Sequence, residues 1–235
     1  MTIMPDLEQK GLCLIRDENG LKLTDGELEL RGDFTKRLPR LKYNNLTHEI
    51  LIKASKIKGI ERELTLIDAT AGLGEDSLLF AAAGFRVMMF ERDPVIAALL
   101  KDAMERARLL PELAPVMARM ELVETDSVSY LRGLAAKLSE GAALSDTAAA
   151  PDVIFLDPMF PERQKSALIK KKMQLLQKLE RPGTDEQAML EAAMAVRPRK
   201  IVVKRPLKGP FLAGRKPDYS ISGKAIRCDC YVFAP

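Results

Sequence analysis

The chain has 235 residues, 47% of them apolar and 30% charged, and a formal net charge of +4 at pH 7. That suffices for the core of one ordinary domain plus an appendage, and no apolar run is long enough to cross a bilayer. Three cysteines without Cys-x-x-Cys spacing, a single His48 and a start lacking the charged-then-apolar pattern of a leader argue against a disulfide framework or a metal cluster, so a cytoplasmic, reducing location without metal is expected.

Short alternating runs occupy Leu12 to Leu30, separated by Asn19-Gly20 and Asp25-Gly26. Both dipeptides favour tight turns, which predicts a small β-meander. From Asp33 to Asn45, Lys36, Arg37, Arg40 and Lys42 interleave with Phe34 and Tyr43. Such a stretch either grips a nucleic-acid backbone or is a solvated connection. Residues 1–45 are thus expected to form an N-terminal β-rich extension on a main domain of residues 46–235.

Apolar spacing predicts a helix from Leu46 to Lys58, then a strand, Leu64 to Asp68, that passes through Ala69-Thr-Ala-Gly72-Leu-Gly74 directly into the helical pattern Ser77 to Ala83. Strand and helix then alternate: Arg86 to Glu91, Pro94 to Arg108 with proline in the first turn, Arg119 to Glu124, Val128 to Leu138, and Asp152 to Leu156. Helical stretches Gln164 to Leu179 and Asp185 to Val196 follow, separated by Arg181-Pro182-Gly183, and strands Lys200 to Lys204 and Ala225 to Phe233 close the chain. Gly141 to Ala150 reads as a flexible connection. This order predicts an α/β fold, a doubly wound, mostly parallel sheet with helices on both faces and ligands beyond the carboxyl ends of its strands.

Acidic or polar residues end four of those strands: Asp68 beside the glycine turn, Glu91, Asp126 with Ser127, and Asp157. Gly72 and Gly74 allow backbone angles closed to other residues and close approach of a ligand to the main chain. An acidic end to the second strand suits ribose hydroxyls, whether of a dinucleotide or of S-adenosylmethionine. The fourth end, Asp157-Pro158-Met159-Phe160-Pro161, favours the latter. The amino nitrogen of a nucleobase is a poor nucleophile because its lone pair is delocalised into the ring. A carboxylate (Asp157) and a rigidly held carbonyl (Pro158) that accept its hydrogen bonds return density to it, while Phe160 stacks on the base.

Basic residues follow that turn, Arg163, Lys165, Lys170, Lys171, Lys172 and Lys178, and Lys204, Arg205 and Lys208 follow the fifth strand. Cations beside a base pocket suit RNA phosphates, with a solvated helix face as the other reading of Lys170 to Lys172. Cys228 and Cys230, at alternating strand positions, read as core, and His48 as structural.

Asp68-Ala-Thr-Ala-Gly-Leu-Gly74, Glu91-Arg-Asp-Pro94, Leu156-Asp-Pro-Met-Phe-Pro161, Gln164-Lys-Ser-Ala-Leu168 and Val202-Val-Lys-Arg-Pro206 together resemble the RsmJ-type small-subunit ribosomal RNA guanine-N2 methyltransferases. The resemblance covers roughly Leu64 to Phe233. It implies a class I, Rossmann-like methyltransferase fold, S-adenosylmethionine as donor, and a guanosine of small-subunit ribosomal RNA, free or within the small ribosomal subunit, as acceptor. It also implies cofactor contacts at Glu75, Asp76, Glu91, Arg92, Asp126, Ser127 and Asp157, in addition to Asp68, Gly72 and Gly74 of the turn. Glu75 departs from the family's usual arginine and Asp126 from its usual serine, and Leu41 to Glu49 replaces a Gly-rich, Arg-containing segment. The residues themselves leave open an adenine-N6 methyltransferase acting on DNA or another RNA, an RNA-binding protein that keeps the fold without catalysis, and, more distantly, a nicotinamide-dependent dehydrogenase.

Overall fold

The structure, a computed structural model, describes residues 5–140, 150–158, 174–175, 178–179 and 185–233. The meander forms as expected: β1 (Cys13–Asp17), β2 (Gly20–Thr24) and β3 (Glu29–Leu30) pair antiparallel in the order β1-β2-β3. Its turns use the chemistry of their residues. Gly20 and Gly26 take φ of 102° and 93°, and the Asp17 and Asp25 carboxylates accept the backbone N–H groups of Asn19 and Leu28 at 2.9 and 2.8 Å.

Leu12, Leu14, Leu23 and Leu30 of this sheet pack on Val95, Ile96 and Leu99 of the Pro94–Arg108 helix, together with Leu175 and Leu179. Asp102 on that helix ties the two together, taking Arg16 Nη1 at 2.6 Å and the Leu21 N–H at 3.0 Å.

The basic segment is folded rather than a loose connection. Phe34–Arg37 is a single 3-10 turn capped by Asp33, and short helices Leu38–Leu41 and Tyr43–Leu46 follow. Phe34 is buried in the main core, whereas Tyr43 is 79% exposed. The helix expected from Leu46 is confined to Ile50–Ser55, because Glu49 takes an extended conformation and separates it from the preceding turn.

The large sheet has the strand order β6-β5-β4-β7-β8-β10-β9. Its members are β4 (Thr65–Asp68), β5 (Arg86–Phe90), β6 (Met120–Val123), β7 (Val153–Leu156), β8 (Lys200–Pro206), β9 (Tyr219–Ser222) and β10 (Ile226–Val232). Strands β4 to β8 pair in parallel, and β10 runs antiparallel to both β8 and β9. The strand alternation sorts the core into two layers. Leu66, Val87, Met89, Phe155, Val202, Cys228 and Cys230 face the helices Ile50–Ser55, Glu75–Ala82 and Pro94–Arg108. Ile67, Ile154, Leu156, Ile201, Val203 and Tyr231 face Ser127–Ser139 and Glu186–Val196. Strands covered on both faces read in sequence as short unbroken apolar runs, as Val153 to Leu156 does.

Cys228 and Cys230 are buried core residues, and burial pushes the Cys228 thiol up to about 12, which keeps it protonated and unreactive at neutral pH. Strand β9 has no counterpart in the sequence expectations. The Gly141 to Ala150 connection, except Ala150, and the Gln164 to Leu179 helix, except Gln174, Leu175, Lys178 and Leu179, lie outside the described residues, as does Arg181-Pro182-Gly183. Strand order reverses between β4 and β7, and in such sheets the crevice beyond the carboxyl ends opens at that reversal.

Candidate active site

Asp68 ends β4 at that reversal and is 1% exposed. Its Oδ1 accepts the Thr70 N–H at 3.0 Å and its Oδ2 the Ser77 hydroxyl at 2.5 Å, so one carboxyl fastens the strand end to the first turn of the following helix. Burial pushes its pKa up to about 7. The Thr70 hydroxyl in turn accepts the backbone N–H of Asp157 at 2.7 Å, joining the turn after β4 to the residue that follows β7. The sequence expectations assign no role to the side chains of Thr70 and Ser77, although an aspartate at a strand end commonly accepts the backbone N–H two residues on, as Asp68 does here.

The two glycines have different jobs. Both sit in the left-handed region, at φ of 55° for Gly72 and 73° for Gly74. A Cβ on Gly74 would lie 2.7 Å from Leu100 Cδ1 and 3.2 Å from Phe34 Cζ, so this position is fixed by packing as well as by backbone angle. A Cβ on Gly72 would meet nothing within 4 Å, which leaves its flank open to close approach.

Glu91, 8% exposed, follows β5 and accepts the N–H groups of Gly72 and Asp93 at 3.1 and 2.8 Å. The carboxylate after the second strand is therefore braced against the glycine turn. Asp126 caps the Ser127–Ser139 helix, accepting the Ser129 N–H and hydroxyl, both at 2.8 Å, with Arg92 3.9 Å from its other oxygen. Ser127 is buried at the start of that helix. Glu75 pairs with Arg37, so the negative charge at this position meets a cation supplied from the Phe34–Arg37 turn.

Beyond β7, Asp157 Oδ2 lies 2.8 Å from Lys204 Nζ, and the same ammonium is 2.5 Å from Asp76 Oδ2. Burial raises the Asp157 pKa above the usual carboxylate value, with Lys204 pulling against it. Burial works equally against the Lys204 ammonium, but the two carboxylates outweigh it and its pKa stands above that of an ordinary lysine. Pro158 is buried beside it.

Lys204 and Arg205, expected from the sequence as phosphate contacts, are both paired with carboxylates of this chain. Residues 204 and 205 alternate across β8: Lys204 turns to the face of the Glu75–Ala82 helix, while Arg205, 1% exposed, turns to the other and meets Glu186 Oε1 at 2.9 Å. Phe160, Arg163, Lys165, Lys170, Lys171 and Lys172 lie outside the described residues. Among the described residues no group of three or more His, Cys, Asp or Glu side chains is arranged to hold a metal ion, and no helix is long and apolar enough to cross a membrane.

A sheet ordered in this way, with a left-handed glycine turn after its central strand and a braced carboxylate after the next, has the class I methyltransferase fold. The residues present fit S-adenosylmethionine, since Gly72 offers an open flank and Glu91 an oriented carboxylate. A family model described as "Putative SAM-dependent methyltransferase" matches residues 3–233.

A Thioalkalivibrio sulfidiphilus protein named ribosomal RNA small subunit methyltransferase J is 43% identical over 229 residues, 94% of this chain and 84% of that one. Its namesake in Pseudomonas paraeruginosa is 44% identical over 192 residues, 82% of this chain and 69% of that one. The crystal structure of a SAM-dependent methyltransferase from Neisseria gonorrhoeae superposes with a TM-score of 0.73 at 30% identity, covering 99% of this chain and 86% of that one. The chain belongs to the ribosomal RNA small subunit methyltransferase J family of S-adenosylmethionine-dependent methyltransferases.

Proposed function

We propose that the chain methylates the exocyclic N2 amino group of a guanosine in small-subunit ribosomal RNA, working in the cytoplasm on free RNA or on the small subunit. The observation that carries this reading is the convergence of Gly72, Glu91 and Asp157 at one strand reversal, with Asp157 joined to the glycine turn through Thr70. The names of the relatives supply the substrate class.

S-adenosylmethionine supplies a methyl group on a sulfonium centre. Glu91 is assigned to the ribose hydroxyls, and the Gly72 flank to the close approach of the donor's backbone-facing side. Asp157 and the Pro158 carbonyl accept hydrogen bonds from the amino protons, which localises the lone pair on nitrogen. As the N–C bond forms and the C–S bond breaks, positive charge moves from sulfur to nitrogen, and the carboxylate of Asp157 favours that movement before the surplus proton leaves to solvent. Phe160 as the stacking ring, and Arg163, Lys165 and Lys170 to Lys172 as phosphate contacts, belong to the proposal on sequence grounds alone.

Incubation with methyl-labelled donor and either naked small-subunit RNA or intact subunits, followed by digestion to nucleosides, tests the reading. Label in N2-methylguanosine supports it. Label in N6-methyladenosine, or none in either substrate, overturns it.

A further inference from the structure

The sequence places Lys204 in a basic run, yet its ammonium lies on Asp157 Oδ2 at 2.8 Å and Asp76 Oδ2 at 2.5 Å. Only 24% of its side chain is exposed, and a phosphate contact would require it to leave two carboxylates for one anion. The three residues of this cluster come from three different parts of the chain: β8 carries the lysine, Asp76 lies in the first turn of the helix after the glycine turn, and Asp157 follows β7. Among the described residues no donor reaches Asp157 Oδ1, while Oδ2 is held by the lysine and the backbone N–H by Thr70.

We infer that Lys204 is a positioning residue for methyl transfer: its ammonium bridges Asp76 and Asp157, balances their charge, and fixes the catalytic carboxylate with one oxygen committed and the other available to the amino group. This inference rests on the proposed role of Asp157. Two carboxylates sharing one ammonium carry a net charge of −1, so one negative charge remains to favour the cation developing on nitrogen. Without the lysine, Asp157 would face the Asp76 carboxylate with no ammonium between them, and its own carboxyl would hold a proton more readily.

The charged groups that act on Asp157 are Lys204 on β8, Asp76 on the helix and Asp68 at the end of β4, with Arg205 acting through its charge from the opposite face of β8, where it pairs with Glu186. Cys228 on β10, its thiol pushed up to about 12, stays neutral. Loss of Lys204 therefore removes the ammonium that holds Asp157 ionised and leaves the carboxyls of Asp76 and Asp68 acting on it, which raises the affinity of Asp157 for a proton. A protonated carboxyl accepts the amino protons more weakly and brings no negative charge to the cation developing on nitrogen, so activity would be lost from the acid side at a higher pH than in the unaltered protein.

The test compares Lys204→Met, Lys204→Arg and the unaltered protein, using small-subunit RNA and saturating donor across pH 5 to 9. The inference predicts that Lys204→Met loses about 10²-fold in kcat at neutral pH with KM for RNA within a factor of about three. It predicts an acid limb moved up by about one to three pH units, and partial recovery of both in Lys204→Arg. A phosphate-contacting lysine gives the opposite pattern, with kcat kept, KM raised and a salt slope shallower by about one, and that result would overturn the inference.

Carbon-13 titration of the Asp157 carboxyl, assigned by its absence in Asp157→Asn, reads the charge coupling without turnover. A pKa higher in Lys204→Met supports the bridge, and an unchanged one contradicts it. Failure of the unaltered protein to methylate RNA would count against the function itself, while the titration still decides the coupling.

Discussion

The hydroxyl of Thr70 accepts the main-chain N–H of Asp157 at 2.7 Å and lies 3.4 Å from Asp68 Oδ1, to which it donates. Through this one side chain, the glycine-containing turn after β4 and the residue that follows β7 share a hydrogen-bond relay. The relay explains how residues far apart in sequence keep a fixed spacing.

Replacing Thr70 with valine keeps the volume and removes the acceptor, leaving the Asp157 N–H unsatisfied. The expected cost is about 1–3 kcal/mol of stability, with a larger fractional loss in kcat than in donor affinity. Thr70→Ser, which keeps the hydroxyl, is expected to recover most of both. Urea unfolding and single-turnover methyl transfer check this pair.

Gly72→Ala and Gly74→Ala are expected to differ although both alter the same turn. Each forces alanine to a positive φ, which costs about 1–2 kcal/mol. At Gly74 the new methyl also meets Leu100 and Phe34, adding overpacking of about 1–3 kcal/mol. Gly74→Ala is therefore the less stable protein in a thermal melt, and Gly72→Ala the one that loses S-adenosylmethionine affinity by calorimetry while staying closer to the parent in stability.

Asp68 makes stability depend on pH with a definite sign. Its pKa is about 7 in the folded protein against 3.8 as an ordinary aspartate. Between those values the folded state holds the proton more often than the unfolded state, so the contribution is complete below pH 3.8 and is lost as pH rises through about 7. The slope from one proton is at most about 1.4 kcal/mol per pH unit. The lowered carboxyls of Asp17 and Asp25, held by Arg31 and Lys178, act in the opposite sense and in a more acidic window. Unfolding free energies from pH 4 to 8 are expected to fall less steeply in Asp68→Asn than in the parent.

The sequence carried the βα alternation and the acidic strand ends, because strands covered on both faces must be apolar throughout and the residue after each is the first to meet solvent. It did not carry β9, whose residues Tyr219-Ser-Ile-Ser222 lie mostly exposed at the sheet edge and hold no apolar run. It also misread the segment around Phe34: a cation-rich stretch looks solvated, but Phe34 is drawn into the core and Arg37 to Glu75 by partners distant in the chain. Lys204 and Arg205 look alike in a basic run, yet strand alternation sends one to the carboxylates of the crevice and the other to Glu186 on the opposite face. That distinction was available from the two-residue period once β8 was extended to Pro206.

The most direct test of the account is the methyl-transfer rate of Asp157→Ala under single-turnover conditions with bound donor and small-subunit RNA. The variant leaves Lys204 paired with Asp76, so the fold is expected to stand, as a thermal melt verifies. The account predicts a rate lower by about 10²-fold or more. A rate within a factor of two of the parent would contradict it.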